Sequence, residues 1–92
     1  MDAELLMDDR YEIDDRSFAE LVVWRRADGS FKYRLAYVVD EVCVLRYDNE
    51  TGKGDHRHMG RREAAYFFTT VDQLVTDFWS DIAEQRHEDG DL

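Results

Sequence analysis

The sequence has no proline, a single cysteine and only two lysines among its 92 residues. Since no proline-rich linker, repeat or low-complexity stretch divides the chain, we expect one small domain over residues 1–92. The lone Cys43 excludes an internal disulfide, and its apolar neighbours predict a small buried side chain in a reducing compartment. Apolar runs fall short of the roughly 20 residues of a membrane helix, and the acidic start lacks the pattern of a secretion signal. We therefore expect a cytoplasmic protein.

Acidic side chains dominate what is present: 22 Asp and Glu face 12 Lys and Arg, for a formal net charge of −10. Such a charge keeps an acidic protein soluble but destabilises its compact state by self-repulsion. Concentrated salt removes that repulsion, because the screening length is about 3 Å at 1 M. We therefore hypothesise a halophilic protein from a salt-rich cytosol. The alternative is a genome rich in arginine codons together with two acidic chain ends.

Runs of β-branched and aromatic residues predict about five strands. The clearest covers residues 31–39, where apolar side chains alternate with Lys32 and Arg34, the period of a strand with one buried face. Asp40 and Glu41 then give hairpin spacing, although neither is the glycine or asparagine that a two-residue turn favours. The predicted strands are residues 10–13, 18–25, 31–39, 42–47 and 65–69.

A C-terminal helix is predicted to begin at Thr70, which forms a capping-box pattern with Gln73 three positions on. The apolar residues that follow lie three or four positions apart and form one stripe, which we interpret as core. They are Val71, Leu74, Val75, Phe78, Trp79 and Ile82. Strands followed by a helix indicate an α+β fold, an antiparallel meander of about five strands with one C-terminal helix packed on one face. The acidic ends, residues 1–8 and 86–92, are predicted to fray.

One stretch departs from the acidic background, because residues 53–62 carry a formal charge of +3. It belongs to a segment, residues 46–62, that we interpret as a loop between two strands. The glycines of this loop let the backbone take positive φ and approach a ligand closely. Loops held on a rigid sheet often carry function, so this segment is where we expect chemistry.

Two histidines, His56 and His58, would project to the same side of an extended chain, with Arg57 on the other. Cleavage of RNA without a metal needs a base for the 2′-hydroxyl, an acid for the leaving 5′-oxygen and a cation for the charge on phosphorus. The two imidazoles fit the first two roles. Lys53 and Arg57 fit the third.

Asp48 or Asp55 could orient one imidazole, or could complete a zinc or manganese site with both histidines. A histidine pair without a clearly placed third ligand is not diagnostic, so we predict no cofactor. A purely structural interpretation is also open, since Asp48 and Asn49 commonly begin turns and a charged loop is often only solvated. The Gly52-Lys53 pair lacks the remaining residues of a phosphate-binding P-loop.

Three segments together form a specific pattern. They are residues 32–40 (Lys-Tyr-Arg-Leu-Ala-Tyr-Val-Val-Asp), 44–49 (Val-Leu-Arg-Tyr-Asp-Asn) and 52–58 (Gly-Lys-Gly-Asp-His-Arg-His). The pattern resembles the TumE family, toxin components of two-gene toxin–antitoxin modules in bacteria and archaea, and the resemblance extends from Asp9 to Ala83. It implies a helix-turn-helix antitoxin protein as the partner. The matching positions are Tyr47, Asp48, Asn49, Gly52, Lys53, Gly54, Asp55, His56, Arg57 and His58.

Our preferred hypothesis is a toxin that cleaves or binds RNA through this segment. The candidate catalytic residues are His56, His58, Lys53, Arg57 and Asp55. The candidate binding residues are Tyr47, Asp48, Asn49, Gly52, Gly54, Arg61 and Arg62, of which the two arginines would hold phosphates. The alternative is a non-enzymatic acidic binding module that docks a basic DNA-binding partner and modulates it. Self-association through exposed tyrosines is a third interpretation.

Overall fold

The computed structural model describes residues 3–50 and 52–88. In it, six strands form one antiparallel sheet in which every strand lies beside its neighbour in sequence, and a single helix follows. The elements are β1 (Glu4–Asp14), β2 (Ser17–Arg25), β3 (Phe31–Val39), β4 (Val42–Glu50), β5 (Gly54–Met59), β6 (Arg62–Ala65) and α1 (Val71–Glu88). The α+β meander with a C-terminal helix is thus confirmed, with six strands where about five were expected.

The prediction that residues 46–62 form a loop is wrong. β4 continues to Glu50, and β5 occupies the middle of the segment, paired on both sides. The strand was hidden because both of its faces are polar: His56 and His58 lie on the face away from the helix, and Asp55 and Arg57 lie on the helix side. The last strand also comes earlier than predicted, at residues 62–65 instead of 65–69.

The acidic ends are more ordered than their composition suggested. Residues 4–8, predicted to fray, belong to β1 and pair with β2, and residues 86–88 complete α1. The remaining residues of the two predicted ends, 1–2 and 89–92, lie outside the described residues, and Ala3 precedes β1 without belonging to it. Backbone pairing fixes β1 even though nearly all of its side chains are exposed.

The core lies between α1 and one face of the sheet. Odd-numbered residues of β2, of β3 and of β4 from Leu45 onward point toward the helix, because side chains alternate between the two faces of a strand. The buried apolar residues are Ala19, Leu21, Val23, Tyr33, Leu35, Tyr37, Leu45, Tyr47, Leu74, Phe78 and Ile82. Fully burying a side chain the size of leucine or phenylalanine contributes about 1.5–3 kcal/mol, so this cluster holds the helix on the sheet. The predicted helix stripe is confirmed, with Trp79 at its partly buried edge.

The helix begins as the capping pattern predicts. The backbone N–H of Gln73 donates to Thr70 Oγ1 at 3.1 Å, which satisfies one of the free N–H groups of the first turn. The reciprocal half of the capping box is replaced, because the Gln73 side chain donates to Asp77 Oδ1 at 2.7 Å. Within residues 3–50 and 52–88, no helix is both long and apolar enough to cross a membrane.

Arg86 binds the last turn of α1 to the hairpin formed by β1 and β2. Its guanidinium donates to Tyr37 Oη at 3.1 Å, to Ser17 Oγ at 3.2 Å and to Asp14 Oδ2 at 3.1 Å. These bonds join the last turn of α1 to residues of β1, β2 and β3. They also give the buried Tyr37 hydroxyl a partner, which a buried polar group requires.

The β3–β4 turn confirms the predicted two-residue hairpin without glycine. Asp40 and Glu41 have φ of 50° and 68°, the left-handed pair that such a turn requires. Arg16 compensates for the strain by binding the Asp40 carboxylate with Nε–Oδ1 at 3.0 Å and Nη2–Oδ2 at 2.6 Å. Arg16 lies in the turn between β1 and β2, and the sequence pattern did not indicate this contact with Asp40.

The prediction of a buried Cys43 is wrong, because its side chain is exposed. The register of β4 against β3 shifts between Tyr37 and Val38, which pair with Leu45 and Cys43. This bulge leaves Val44 without a Cα partner on β3 and places Cys43 on the face away from the helix. The apolar run around the cysteine therefore does not lie on a single face.

Candidate functional site

The face of the sheet opposite α1, here called the open face, carries two rows of side chains that cross all six strands. Each row follows directly from the register, by stepping from one Cα partner to the next. The first row is Asp8, Val22, Arg34, Asp48, His56 and Ala65. The second row is Arg10, Glu20, Ala36, Arg46, His58 and Glu63. Both histidines thus share a surface with cations and carboxylates from neighbouring strands.

His56 and His58 form the centre of the site. Their ring centroids are 6.2 Å apart with planes tilted by 44°, and their side chains are 18% and 28% exposed. His58 Nε2 lies 3.7 Å from Asp48 Oδ1, and His56 Nε2 lies 3.6 Å from Glu63 Oε2. These distances are too long for hydrogen bonds but allow charge contact when a ring is protonated. Each imidazole therefore faces one carboxylate, diagonally across a strand pair.

Two arginines flank the histidines on the open face. Arg46 Nε lies 3.1 Å from Asp48 Oδ2, an ion pair by distance, although the buried Nε–H has no aligned acceptor. Because His58 approaches the same carboxylate, Asp48 stands between an arginine and an imidazole. Arg34 is exposed, and it makes no hydrogen bond or ion pair with any residue that the structure describes. Its charge is available to an anion.

Three residues of the site were not among the predicted ones: Arg34, Arg46 and Glu63. A signal existed, because Lys32 and Arg34 were already placed opposite the buried side of β3. Connecting them to the histidines required the register of β3 against β4 and of β4 against β5. That register cannot be obtained while β5 is interpreted as a loop.

Arg57 lies on the other side of the sheet from the histidines. Its Nη1 donates to Asp81 Oδ2 of α1 at 3.0 Å, and the Tyr47 hydroxyl donates to the same carboxylate. The hydrogen bond with Tyr47 and the charge of Asp81 raise the pKa of Arg57, while burial and the bond to Asp81 raise the pKa of Tyr47. The prediction that Arg57 supplies the cation beside the histidines is therefore wrong, because the sheet separates them. Tyr47 is fully buried and belongs to the core.

Asp55 and Asn49 also serve the framework. Asp55 Oδ1 accepts a hydrogen bond from the Tyr33 hydroxyl at 3.0 Å on the helix side, so Asp55 does not orient an imidazole. The Asn49 side chain accepts from Tyr33 N at 3.0 Å and donates to Phe31 O at 2.7 Å. Asn49 thereby extends the bonding between β3 and β4 beyond their last Cα pair, Arg34 with Asp48.

The remaining candidates occupy turns at opposite ends of β5. Gly52 and Gly54 have φ of 87° and 81° beside the exposed Lys53, so they shape the β4–β5 turn. Arg61 and Arg62 lie at the β5–β6 turn. Since β5 has six residues at about 3.3 Å each, these two groups of cations are roughly 20 Å apart. The +3 segment is therefore divided between two ends of a strand and does not form one cluster.

A groove of about 450 Å³ adjoins the first row. It is lined by Val22, Trp24, Lys32, Tyr33, Arg34, Asp48, Asn49 and Glu50. A smaller depression of about 170 Å³ lies beside Arg46 and His58. Over the described ranges, no group of three or more His, Cys, Asp or Glu side chains is placed to hold one metal ion, and Asp55 is on the opposite face from the histidines. The metal site considered from the sequence gains no support from this arrangement.

Comparison with known families gives one result. The sequence model of the family described as "Toxin TumE" matches residues 2–86, which is nearly the whole chain. No curated protein and no solved structure matches the chain. The match includes both rows of the open face and the whole of the core.

Proposed function

This chain belongs to the TumE toxin family, and from that premise we propose that it is the toxin of a two-gene toxin–antitoxin system and cleaves RNA on its open face. The observation that carries the proposal is the pair His56 and His58, which project side by side from β5 with ring centroids 6.2 Å apart. Arg46 stands next to His58 in its row, and Arg34 lies two strands from His56 in the other. Two proton-transfer groups and two cations thus share one accessible surface.

The spacing of the imidazoles suits one phosphodiester. With the 2′-oxygen at about 2.7–3.0 Å from one ring and the 5′-oxygen at the same distance from the other, the scissile phosphate would lie between them. One histidine accepts the proton of the 2′-hydroxyl as its oxygen attacks phosphorus. The other donates a proton to the 5′-oxygen as the P–O5′ bond breaks, leaving a 2′,3′-cyclic phosphate and a free 5′-hydroxyl. One ring gains a proton and the other loses one, so the step balances in protons and charge without a metal or cofactor.

The two arginines take the role first assigned to Lys53 and Arg57. Arg34 is exposed and has no ion-pair partner in the described chain, so it can bind a phosphate without breaking an existing contact. Arg46, held near Asp48, lies directly opposite His58 in the register and can stabilise charge that develops on phosphorus. The protein as a whole carries −10, but salt screens the distant acids while contacts at the site persist.

The test is cleavage of a cellular RNA pool by the purified protein, with and without a chelator. We expect His56→Ala and His58→Ala each to lower the rate by about a hundredfold or more, the usual contribution of a positioned acid or base. His87→Ala is the matched control, since His87 is exposed near the end of α1. Equal cleavage by all three variants would contradict the mechanism, and loss of cleavage with chelator would replace it by a metal-assisted one.

A second candidate function is favoured by the edge strand β1. Five of its eleven residues are acidic and one, Arg10, is basic, and nearly all of its side chains are exposed. Such an edge could dock a basic partner without any enzymatic step. The family implies an antitoxin as a partner, and we propose a basic helix-turn-helix protein in that role. If the histidine variants lose toxicity but still bind the antitoxin, the open face acts on RNA; if they retain toxicity, the binding-module function is favoured.

A further inference from the structure

Trp24 is an exposed aromatic residue with nothing stacked on it. It lies on β2 with 38% of its surface exposed, and its even position places it on the open face. The second tryptophan, Trp79, is packed edge-on against Tyr11 and Phe78 at centroid distances of 5.4 and 5.8 Å. In contrast, no ring contact or cation contact to Trp24 occurs among the residues that the structure describes. In the described chain, therefore, no aromatic ring or cation is stacked on its indole.

Trp24 and its register partner Lys32 stand between two depressions. Both residues line the 450 Å³ groove and also a neighbouring one of about 310 Å³, which Ala3 and Arg26 complete. Lys32 is held in place, because its Nζ donates to the carbonyl oxygen of Asn49 at 3.1 Å. The aromatic residue thus has a hydrogen-bonded cation as its partner on the neighbouring strand.

The larger groove leads from Trp24 toward the histidines. Arg34 lines it and lies in the same transverse row as His56, two strands away. A cation that has no hydrogen-bond or ion-pair partner among the described residues therefore lies between the aromatic residue and the proposed catalytic pair. Aromatic rings that alternate with cations on an exposed sheet are the features with which proteins hold single-stranded nucleic acid.

We infer that the groove beside Trp24 is a subsite for an unpaired nucleobase of single-stranded RNA, with the base stacked on the indole and its phosphates at Lys32 and Arg34. The inference rests on the proposed function, since it supplies the substrate class for the same face. Stacking tolerates every base, so the subsite selects unpaired RNA over duplex without selecting a sequence. A base inside a duplex is already stacked between its neighbours and cannot reach the ring.

The subsite is separate from the chemistry. Trp24 is on β2 and His56 is on β5, three strands apart, which is roughly 14 Å at the usual strand spacing of about 4.8 Å. The base on Trp24 is therefore not the one attached to the cleaved phosphate. We expect Trp24→Ala to raise KM and to leave kcat nearly unchanged, whereas the histidine variants lower kcat.

The direct test measures binding without cleavage. The probe is a fluorescent single-stranded oligouridylate with 2′-O-methyl riboses, which lacks the attacking hydroxyl, and its affinity is read by anisotropy. We expect Trp24→Ala to weaken binding roughly tenfold or more, the usual effect of losing one stacked base, and Trp24→Phe to restore most of it. Phe67→Ala is the matched control, since Phe67 is 87% exposed and lines neither groove. The same probe annealed to its complement should bind the wild type no better than it binds Trp24→Ala.

The outcomes separate this inference from the proposed cleavage. Binding that depends on Trp24, in a protein that cleaves nothing, would uphold the subsite and overturn the ribonuclease. Cleavage with an unchanged KM in Trp24→Ala would uphold the ribonuclease and overturn the subsite. If Trp24→Ala loses antitoxin binding but holds the oligonucleotide normally, the groove is a protein interface and the inference is overturned.

Discussion

Arg57 Nη1 and Asp81 Oδ2 are 3.0 Å apart and join β5 to α1 on the side of the sheet away from His56 and His58. The Asp81 side chain is only 15% exposed, and the Tyr47 hydroxyl donates to the same carboxylate. The residue between the two histidines in sequence is therefore part of the contact between helix and sheet. Of three consecutive residues, Arg57 therefore contributes to stability, whereas His56 and His58 belong to the proposed active face.

Replacing Arg57 should affect stability and not cleavage. We expect Arg57→Gln to lower the free energy of unfolding by about 1–3 kcal/mol, because a largely buried carboxylate loses a charged hydrogen-bond partner. The rate of RNA cleavage per folded molecule should stay the same. Urea unfolding and the cleavage assay measure the two effects. Arg61→Gln, at an exposed turn, is the control, with an expected change within about 0.5 kcal/mol. Loss of cleavage at unchanged stability would place Arg57 in catalysis.

Asp48 should influence rate and substrate affinity in opposite directions. Its carboxylate lies 3.1 Å from Arg46 Nε and 3.7 Å from His58 Nε2. We expect Asp48→Asn to lower kcat by about tenfold, part of what a positioned acid or base contributes, because His58 loses the group that faces it. KM should fall as well, since Arg46 is freed to bind phosphate. Steady-state kinetics on one RNA substrate would show both changes. Asp9→Asn, on β1, serves as the control, and an unchanged kcat would remove Asp48 from the mechanism.

The attachment of α1 to the first hairpin should weaken in acid. Hydrogen bonds from the Ser17 hydroxyl, then the Arg16 N–H, then the Arg86 guanidinium lower the pKa of Asp14 from 3.8 to about 2. A pKa that is lower in the folded state stabilises the protein above 3.8, and this stabilisation is lost as the pH falls toward 2. We expect Asp14→Asn to be less stable than the wild type at neutral pH and equal to it near pH 2.

Urea midpoints measured across that pH range would test the expectation. Asp15→Asn is the control, because the Asp15 side chain forms no bond with any described residue of the protein. A difference between the wild type and Asp14→Asn that stays constant down to pH 2 would show that the Asp14 carboxylate is not the group that titrates.

Salt should stabilise the protein if the halophile hypothesis is correct. The screening length falls from about 10 Å at 0.1 M to about 3 Å at 1 M, which removes repulsion among acids such as Asp8, Asp9 and Glu12 on β1. We expect the melting temperature to rise between low and multimolar KCl, and to rise less in the double variant Asp8→Asn, Asp9→Asn. A melting temperature that falls with added KCl would contradict the hypothesis.

The sequence was sufficient for β3 and α1, where one side of the element is buried and no bulge interrupts the period. The alternation in β3 predicted which residues face the helix, and the stripe from Val71 to Ile82 predicted the face of α1 that packs on the sheet. Both signals arise from burial, which imposes a period on apolar residues. The hairpin at Asp40 was predicted from spacing alone. The turn forms without glycine because Arg16, a residue distant in sequence, offsets its backbone strain.

The candidate site was only partly predictable for the same physical reason. His56 and His58 lie on the same side, as an extended chain requires, but β5 has polar side chains on a face that nothing covers and so shows no apolar period. Without that strand, neither Arg34 nor Arg46 can be connected to the histidines. Arg57 was correctly placed on the side opposite the histidines, but its role was wrong, because its partner Asp81 lies on a helix that the local sequence does not connect to it.

The bond from Arg86 to Asp14 has a consequence for synthesis. Each strand pairs with the one made just before it, so the sheet can assemble hairpin by hairpin as the chain leaves the ribosome. Its apolar face has no cover until α1 follows, and the Arg86 contact spans 72 residues. The nascent protein therefore exposes the apolar face of its sheet until the last turns of α1 are synthesised. During that interval chaperones can bind it before it is folded.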